Sequence, residues 1–429
     1  MEDYNTNQMA KSRRIRWSWL PSLFFGGGLL PSIIILAMIM LRRFGTSNAH
    51  IALYISLLCI PFALRTPLEM VVTYFCGTNK VWILSAEFIS AICLWAIAFT
   101  LPTNYWLQGT MCFMPFVVTA GVLYDIAVER FYTCSNPPSE RMRGIISTLF
   151  LFLAMLFGIG MVVMLAGNME VVTRNVRYSW SLVFYIMAGM EFFLWLWHSI
   201  FLPGGKHSCT NVKDMFGLHR HDYDDAIGLI VNGWRNRFFI YFFLLFALPE
   251  AMMAIAIPLF VIDAPHNGGL GLSPQEFGLS YGTVAIIATA AGYNLGNWLV
   301  GRFGRRMCML PMSIVVIIHG LSMVYLSYNQ ASPLVVACAA MSIGALALGI
   351  GISACSTTIH HFASSGRGYS LRRATAISLM SLTTVLAGGL SGIVLEDIGY
   401  HQFFTFSTAM YAVTVAIALI HTIIYKDAQ

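Results

Sequence analysis

Long apolar runs, separated by short polar turns, set the pattern of this chain. A helix needs about 20 apolar residues to cross the hydrocarbon of a bilayer. Twelve stretches reach that length: 17–41, 49–75, 81–102, 105–131, 142–167, 177–202, 237–262, 274–300, 307–328, 333–363, 373–395 and 402–425. The turns between them carry punctuation such as Gly45-Thr46-Ser47 and Gly271-Leu272-Ser273. The pattern predicts twelve membrane helices, and an even number puts both termini on one side. The first and seventh stretches share a feature, a proline at matching positions in Phe24-Phe25-Gly26-Gly27-Gly28-Leu29-Leu30-Pro31 and Phe242-Phe243-Leu244-Leu245-Phe246-Ala247-Leu248-Pro249. Proline removes a backbone donor and crowds the preceding turn, so both are expected to be interrupted helices. Two halves on one plan, each opening on such a helix, are the layout of a secondary transporter with its site between the halves.

Composition agrees with a lipid-solvated chain. Apolar residues make up 58% and charged residues only 10%, too little polar surface for a soluble protein of this length. With so few charges, their placement matters more than their sum. If the termini face the cytoplasm, twenty Lys and Arg fall on that side and only Arg42, Arg43, Arg174 and Arg177 on the other, with Arg65 inside a span. That asymmetry predicts cytoplasmic termini. The basic start (Lys11, Arg13, Arg14, Arg16) runs into an apolar stretch too long for a cleaved leader, so it is expected to remain as a membrane helix. The nine cysteines are scattered without a Cys-x-x-Cys pair and read as small packing residues.

The longest polar segment divides the chain into a first six-helix bundle over 1–203, a cytoplasmic linker over 204–235 and a second bundle over 236–429. The linker holds His219, His221, Asp222, Asp224 and Asp225, whose order fits no metal-ligand spacing; a solvated linker is expected. Ser273-Pro274-Gln275-Glu276 is a capping box with proline at the first helical position, marking where the eighth span begins.

Ionisable groups inside spans are expensive and need a reason. Glu250 lies halfway along the seventh span, directly after Pro249, where a carboxyl beside a freed carbonyl can take up and release a proton; the alternative is a structural bond to a neighbouring helix. Asp125, toward the end of the fourth span, is the second candidate for proton coupling. Arg65 and Glu69 are four residues apart on one helix face. They either pair with each other, gate the path through a contact to Asp125 or Glu87, or bind a substrate anion. Glu87, Glu191 and the histidines, His319 among them, are expected to be structural. Tyr293, Asn294 and Asn297, with Tyr281, Tyr105 and Trp106 as stacking surfaces, are candidates for binding sugar hydroxyls. The glycines from Gly344 to Gly392 read as close helix contacts.

Gly296-Asn297-Trp298-Leu299-Val300-Gly301-Arg302-Phe303-Gly304-Arg305-Arg306 resembles the loop signature of the major facilitator superfamily, carried here by Gly301, Arg302, Gly304, Arg305 and Arg306. The resemblance implies an all-α polytopic membrane protein of the major facilitator fold, with 12 transmembrane helices in two pseudo-symmetric six-helix bundles. Within that superfamily, Phe25-x-x-Gly28-x-x-Pro31, Tyr124-Asp125-Ile126 with Ser139-Glu140-Arg141-Met142-Arg143-Gly144, and Gly271-Leu272-Ser273-Pro274-Gln275-Glu276-Phe277-Gly278 are similar to segments of the peptide–acetyl-CoA transporter family, the AmpG-type muropeptide permeases. Tyr124 departs from the glutamine usual there. The likeness implies a monomeric, proton-coupled importer of a cell-wall muropeptide or amino-sugar glycan fragment in the bacterial inner membrane. Its partners would be a small-molecule substrate, protons and the bilayer, with no cofactor and no nucleic acid. Siderophore import and drug export fit the same fold. No G-x-x-x-x-G-K-[ST] is present to bind ATP. An intramembrane enzyme built on Gly351-Ile352-Ser353 lacks a placed histidine partner.

Overall fold

The computed structural model describes residues 19–74, 78–134, 140–204, 234–330, 333–364 and 369–424. The basic run Lys11 to Arg16, Ser139 and the linker cluster His219 to Asp225 lie outside the described residues. Every described element is helical.

Among the described residues, nine helices are long and apolar enough to cross a membrane by themselves. Three features bring the number of spans to twelve. The run Tyr369–Ile420 turns at Gly399, whose φ of 75° and ψ of 164° leave the helical region and favour glycine, so it makes two spans. The helices Asn48–Ala63 and Arg65–Val72 meet at 45° and make one broken span. Pro274–Leu279, Ser280–Ala285 and Ile286–Phe303 follow one another as α, π and α segments and make one more. In order, span 1 is Leu20–Arg43, span 2 Asn48–Tyr74, span 3 Asn79–Thr100, span 4 Trp106–Cys134, span 5 Glu140–Thr173 and span 6 Val176–Phe201. Span 7 is Trp234–Ile262, span 8 Pro274–Phe303, span 9 Arg305–Tyr328, span 10 Leu334–Ser364, span 11 runs from Tyr369 to Gly399 and span 12 from Gly399 to Ile424.

The prolines of spans 1 and 7 correct the expectation. Leu20–Arg43 continues through Pro31, and Trp234–Ile262 through both Pro249 and Pro258. In a bilayer an interrupted backbone has no water to satisfy it, so a helix absorbs a proline when its neighbours allow. The interruptions fall elsewhere. Span 2 breaks at Leu64, three residues before Pro67, whose missing N–H leaves the Ala63 carbonyl without its helical donor. Spans 5, 8 and 11 contain π-helical turns at Leu156–Val162, Ser280–Ala285 and Thr384–Gly388.

These four irregular spans pack across the two halves, as spans 1 and 7 also do. Span 5 meets span 8 where a Cβ on Gly160 would come within 2.9 Å of Thr283 Oγ1 and 3.0 Å of the Gly282 carbonyl oxygen. The Thr283 hydroxyl donates to the Gly278 carbonyl at 2.9 Å, taking up part of what the wide turn frees. Span 2 meets span 11, with Gly392 against Asn48 and Ala49 and the Ala49 amide donating to Glu396 at 2.9 Å. The capping box forms as read: the Ser273 amide donates to the Glu276 carboxylate at 2.9 Å, and the Glu276 amide to Ser273 Oγ at 3.3 Å.

Candidate functional site

Spans alternate in direction, so the ends of spans 1 and 7 and the starts of spans 2, 8 and 12 share the membrane face opposite the termini. There Asp263, one residue beyond span 7 and 1% exposed, gathers donors from both halves. Arg42 holds it through Nε at 3.1 Å and through Nη2 in an ion pair. Asn48 donates from Nδ2 at 3.0 Å and the Tyr400 hydroxyl at 2.8 Å. Burial alone would push this carboxyl up, but the hydrogen bonds from Asn48, Arg42 and Tyr400 and the Arg42 charge outweigh it and hold it below the ordinary aspartate range. Beside it, Arg43 pairs with Glu170 at 2.5 Å within the first half. The sequence reading missed this cluster. The available signal was the scarcity of charge on that face, with an Arg and an Asp at the ends of the matching spans 1 and 7.

A second polar cluster ties the halves together toward the face that bears the termini. Arg65 reaches span 4, with Nη1 3.9 Å from Asp125 and Nη2 3.5 Å from Glu129. Of the contacts open to Arg65 in the sequence, the one made is to Asp125. Glu129, expected to be a boundary charge, is paired with Arg373 of span 11. Glu69 accepts from the Ser370 hydroxyl of span 11. The Thr66 amide donates to Ser378 at 3.1 Å. Arg65, Glu69, Asp125 and Glu129 of the first half therefore meet Ser370, Arg373 and Ser378 of the second.

Glu250 turns its carboxyl toward spans 9 and 12. The Tyr411 hydroxyl donates to it at 2.8 Å, and His319 Nε2 lies 3.9 Å away. Its side chain remains 35% exposed. His319, expected to be packing, is buried with neither ring nitrogen hydrogen-bonded, so it has a free nitrogen to offer the carboxylate.

The remaining candidates separate. Tyr293 packs against Phe152 of span 5 with ring centroids 6.4 Å apart and lies 3.5 Å from Ser356. Asn297 accepts from the Ser353 hydroxyl at 2.7 Å, while Asn294 donates back to the Ala290 carbonyl of its own helix at 2.8 Å. Tyr281 packs at a tilt beside Phe277 nearer the start of span 8, with centroids 5.0 Å apart. Tyr105 does not join them. It sits in the turn before span 4 and is 72% exposed, because the chain turns at 101–105 before the helix begins. Trp106 instead packs on Phe44, with centroids 4.8 Å apart. In the signature loop, Gly304 takes φ 82° between spans 8 and 9, and Arg302 lies over Trp298 at 5.8 Å. Among the described residues, no three His, Cys, Asp or Glu side chains converge as a metal centre of that kind requires.

The chain superposes on solved transporters over nearly its whole length. One is the nucleoside transporter NupG in a point-mutant form, with a TM-score of 0.67 at 16% identity, covering 95% of this chain and 98% of that one. Another is a bacterial homologue of the human lysosomal transporter Spinster, inward-facing and unoccupied, with a TM-score of 0.66 at 15% identity and 96% of both chains covered. A third is a POT family transporter in complex with a thioalcohol-conjugated peptide, with a TM-score of 0.68 at 12% identity, covering 95% of this chain and 96% of that one. No family model matches the sequence, and no curated protein does. Likeness at such identity is likeness of fold, and on that ground the chain is an all-α, multi-pass membrane protein of the major facilitator fold.

Proposed function

We propose that this chain is a solute transporter that works by alternating access, its two halves parting first at one membrane face and then at the other. The observation that carries this reading is the pair of polar clusters joining the halves toward opposite faces, Arg42–Asp263–Tyr400 at one and Arg65–Asp125–Glu129–Arg373 at the other. The spans that must slide during such rocking, 2 against 11 and 5 against 8, are the irregular ones. Proton coupling is assigned to Asp125 and Glu250. A proton on Asp125 removes the charge that faces Arg65 and loosens the cluster that includes Arg373. A proton on Glu250 removes the charge beside His319 and leaves an oxygen to accept from Tyr411. Arg65 and Glu69 act as gate residues, and Tyr293, Asn294, Asn297 and Tyr281 are cargo contacts.

Cargo follows the sequence likeness to AmpG-type permeases: a muropeptide or amino-sugar glycan fragment, imported across the bacterial inner membrane by a monomer with cytoplasmic termini. A nucleoside or a peptide, the cargoes named for the structural neighbours, is the second reading, since those chains share this fold from end to end. The test is uptake into proteoliposomes under an imposed pH gradient, with an anhydromuropeptide, a disaccharide, a nucleoside and a dipeptide as competing cargoes. Gradient-driven uptake of the muropeptide or disaccharide, lost in both Asp125→Asn and Glu250→Gln, supports the reading. Uptake unchanged in both variants removes the proton role, and uptake of the nucleoside or peptide alone overturns the cargo.

A further inference from the structure

Inside the first bundle, spans 1, 3, 4 and 6 line a cavity of about 10 Å³, room for roughly one water. Glu87 and Ser90 of span 3, Tyr124 of span 4 and Glu191 of span 6 line it, together with apolar side chains and the glycines of span 1, and no Lys or Arg does. Glu87 is 2% exposed and Glu191 7%. One carboxylate oxygen of Glu87, Oε2, is buried without a hydrogen-bond partner. An unpartnered buried carboxylate oxygen at a void of this size is costly unless something fills the void.

The hydrogen-bond chain behind Glu87 fixes the charge. The Ser22 hydroxyl donates to the Trp19 carbonyl at 2.8 Å. Its single proton is thereby used, so it accepts from His198 Nε2 at 2.9 Å, and Nε2 carries a hydrogen. His198 Nδ1 and Glu87 Oε1, 2.5 Å apart, then share one proton. Whichever atom holds it, the His198–Glu87 pair is neutral as a unit, and an ionised Glu191 leaves the cavity with one uncompensated negative charge.

We propose that this cavity binds one dehydrated Na+, held by Glu191, by Glu87 Oε2 and by the Ser90 and Tyr124 hydroxyl oxygens. Tyr124 donates its proton to the Leu23 carbonyl at 2.9 Å, which leaves its oxygen free to act as an acceptor. The charge matches a monovalent ion. The side-chain oxygens are too few for Ca2+, which takes 6–8, and the void has no room for the waters that Mg2+ keeps. A proton on Glu191 supplies the same charge, so protons compete with Na+. The titratable groups facing the cavity and the pair behind it are Glu87, Glu191, His198 and Tyr124, with Asp125 of span 4 against Gly27 of the lining; span 1 contributes none.

The experiment uses the purified full chain in detergent and needs no transport, so it stands apart from the function proposed above. Unfolding temperature is followed in NaCl, KCl and choline chloride at equal ionic strength near pH 8, alongside binding of radioactive Na+. The expected result is a saturable upward shift with Na+ alone, shrinking as pH is lowered. The Na+ shift is lost in Glu191→Gln and weakened in Ser90→Ala. Superimposable curves in the three salts for the unaltered protein would overturn the proposal, leaving a cavity filled by water or a proton, and that comparison does not depend on any variant folding. An Na+ shift that persists in Glu191→Gln also overturns it, since the ion then binds elsewhere.

Discussion

Arg42 and Asp263, 221 residues apart in sequence, form an ion pair that joins the end of span 1 to the end of span 7. Asp263 is buried, so removing its partner leaves an uncompensated charge, which costs about 3–5 kcal/mol. Reversing a two-state equilibrium from 1:99 to 99:1 takes about 5.5 kcal/mol. The cost of losing Arg42 is thus of the same order as the whole switch, large enough to bias which face opens.

Substituting Arg42→Ala is expected to open the face opposite the termini. A cysteine placed at Ala52, buried against Gly392 of span 11, should then react faster with a membrane-impermeant thiol reagent than it does with Arg42 in place. Equal labelling rates in both backgrounds would show that Arg42 does not hold the seal.

The acid dependence of that seal follows from the depressed carboxyl of Asp263. A carboxylate held below its unfolded value contributes stability above the ordinary aspartate range, near pH 4, and loses it as pH falls through the folded value. The unfolding temperature should therefore fall below about pH 4 in the unaltered protein, and less so in Asp263→Asn. Parallel curves for the two proteins across pH 3 to 7 would count against the assignment.

At Glu250 the two partners can be separated. Tyr411→Phe removes one hydrogen bond to a partly exposed carboxylate and should cost about 0.5–1.5 kcal/mol in unfolding. Glu250→Gln keeps an oxygen to accept from Tyr411, so it should leave stability nearly unchanged while abolishing gradient-driven uptake. If uptake fails only with Tyr411→Phe, the position is structural.

The contact of spans 5 and 8 leaves no space for a side chain. A Cβ at Gly282 would lie 2.7 Å from the Gly160 Cα and against the Ile159 backbone. Gly282→Ala must push two backbones apart, at about 1–3 kcal/mol, and should lower the unfolding temperature. Gly301→Ala, in open space in the signature loop, is the matched control; similar melting of the two variants would remove the packing argument.

Much of the architecture was legible because lipid imposes a length and a hydropathy on every span. The eighth span begins at Pro274 where the capping box at Ser273 placed it. The prolines misled, since Pro31 and Pro249 sit in continuous helices while the breaks lie at Leu64 and in π turns that no residue type announces. Long-range pairs were invisible for a different reason. Arg42 with Asp263, Arg373 with Glu129 and His319 beside Glu250 each join distant segments, and one sequence gives spacing along a helix but not which helix faces it. Tyr105 lies in the turn before span 4, since an aromatic at a span end belongs to the turn as readily as to the helix.

The wide turns at Leu156–Val162, Ser280–Ala285 and Thr384–Gly388 have a mechanical consequence. Each accommodates a residue beyond the regular repeat, and if that surplus migrates by one position the side chain it passes swings about 100° around the helix axis. The hydrogen-bond ladder is re-formed rather than broken as it moves. The rods along the seam can re-index against one another in small steps, and bulky side chains can rotate into or out of the path without any segment melting inside the lipid.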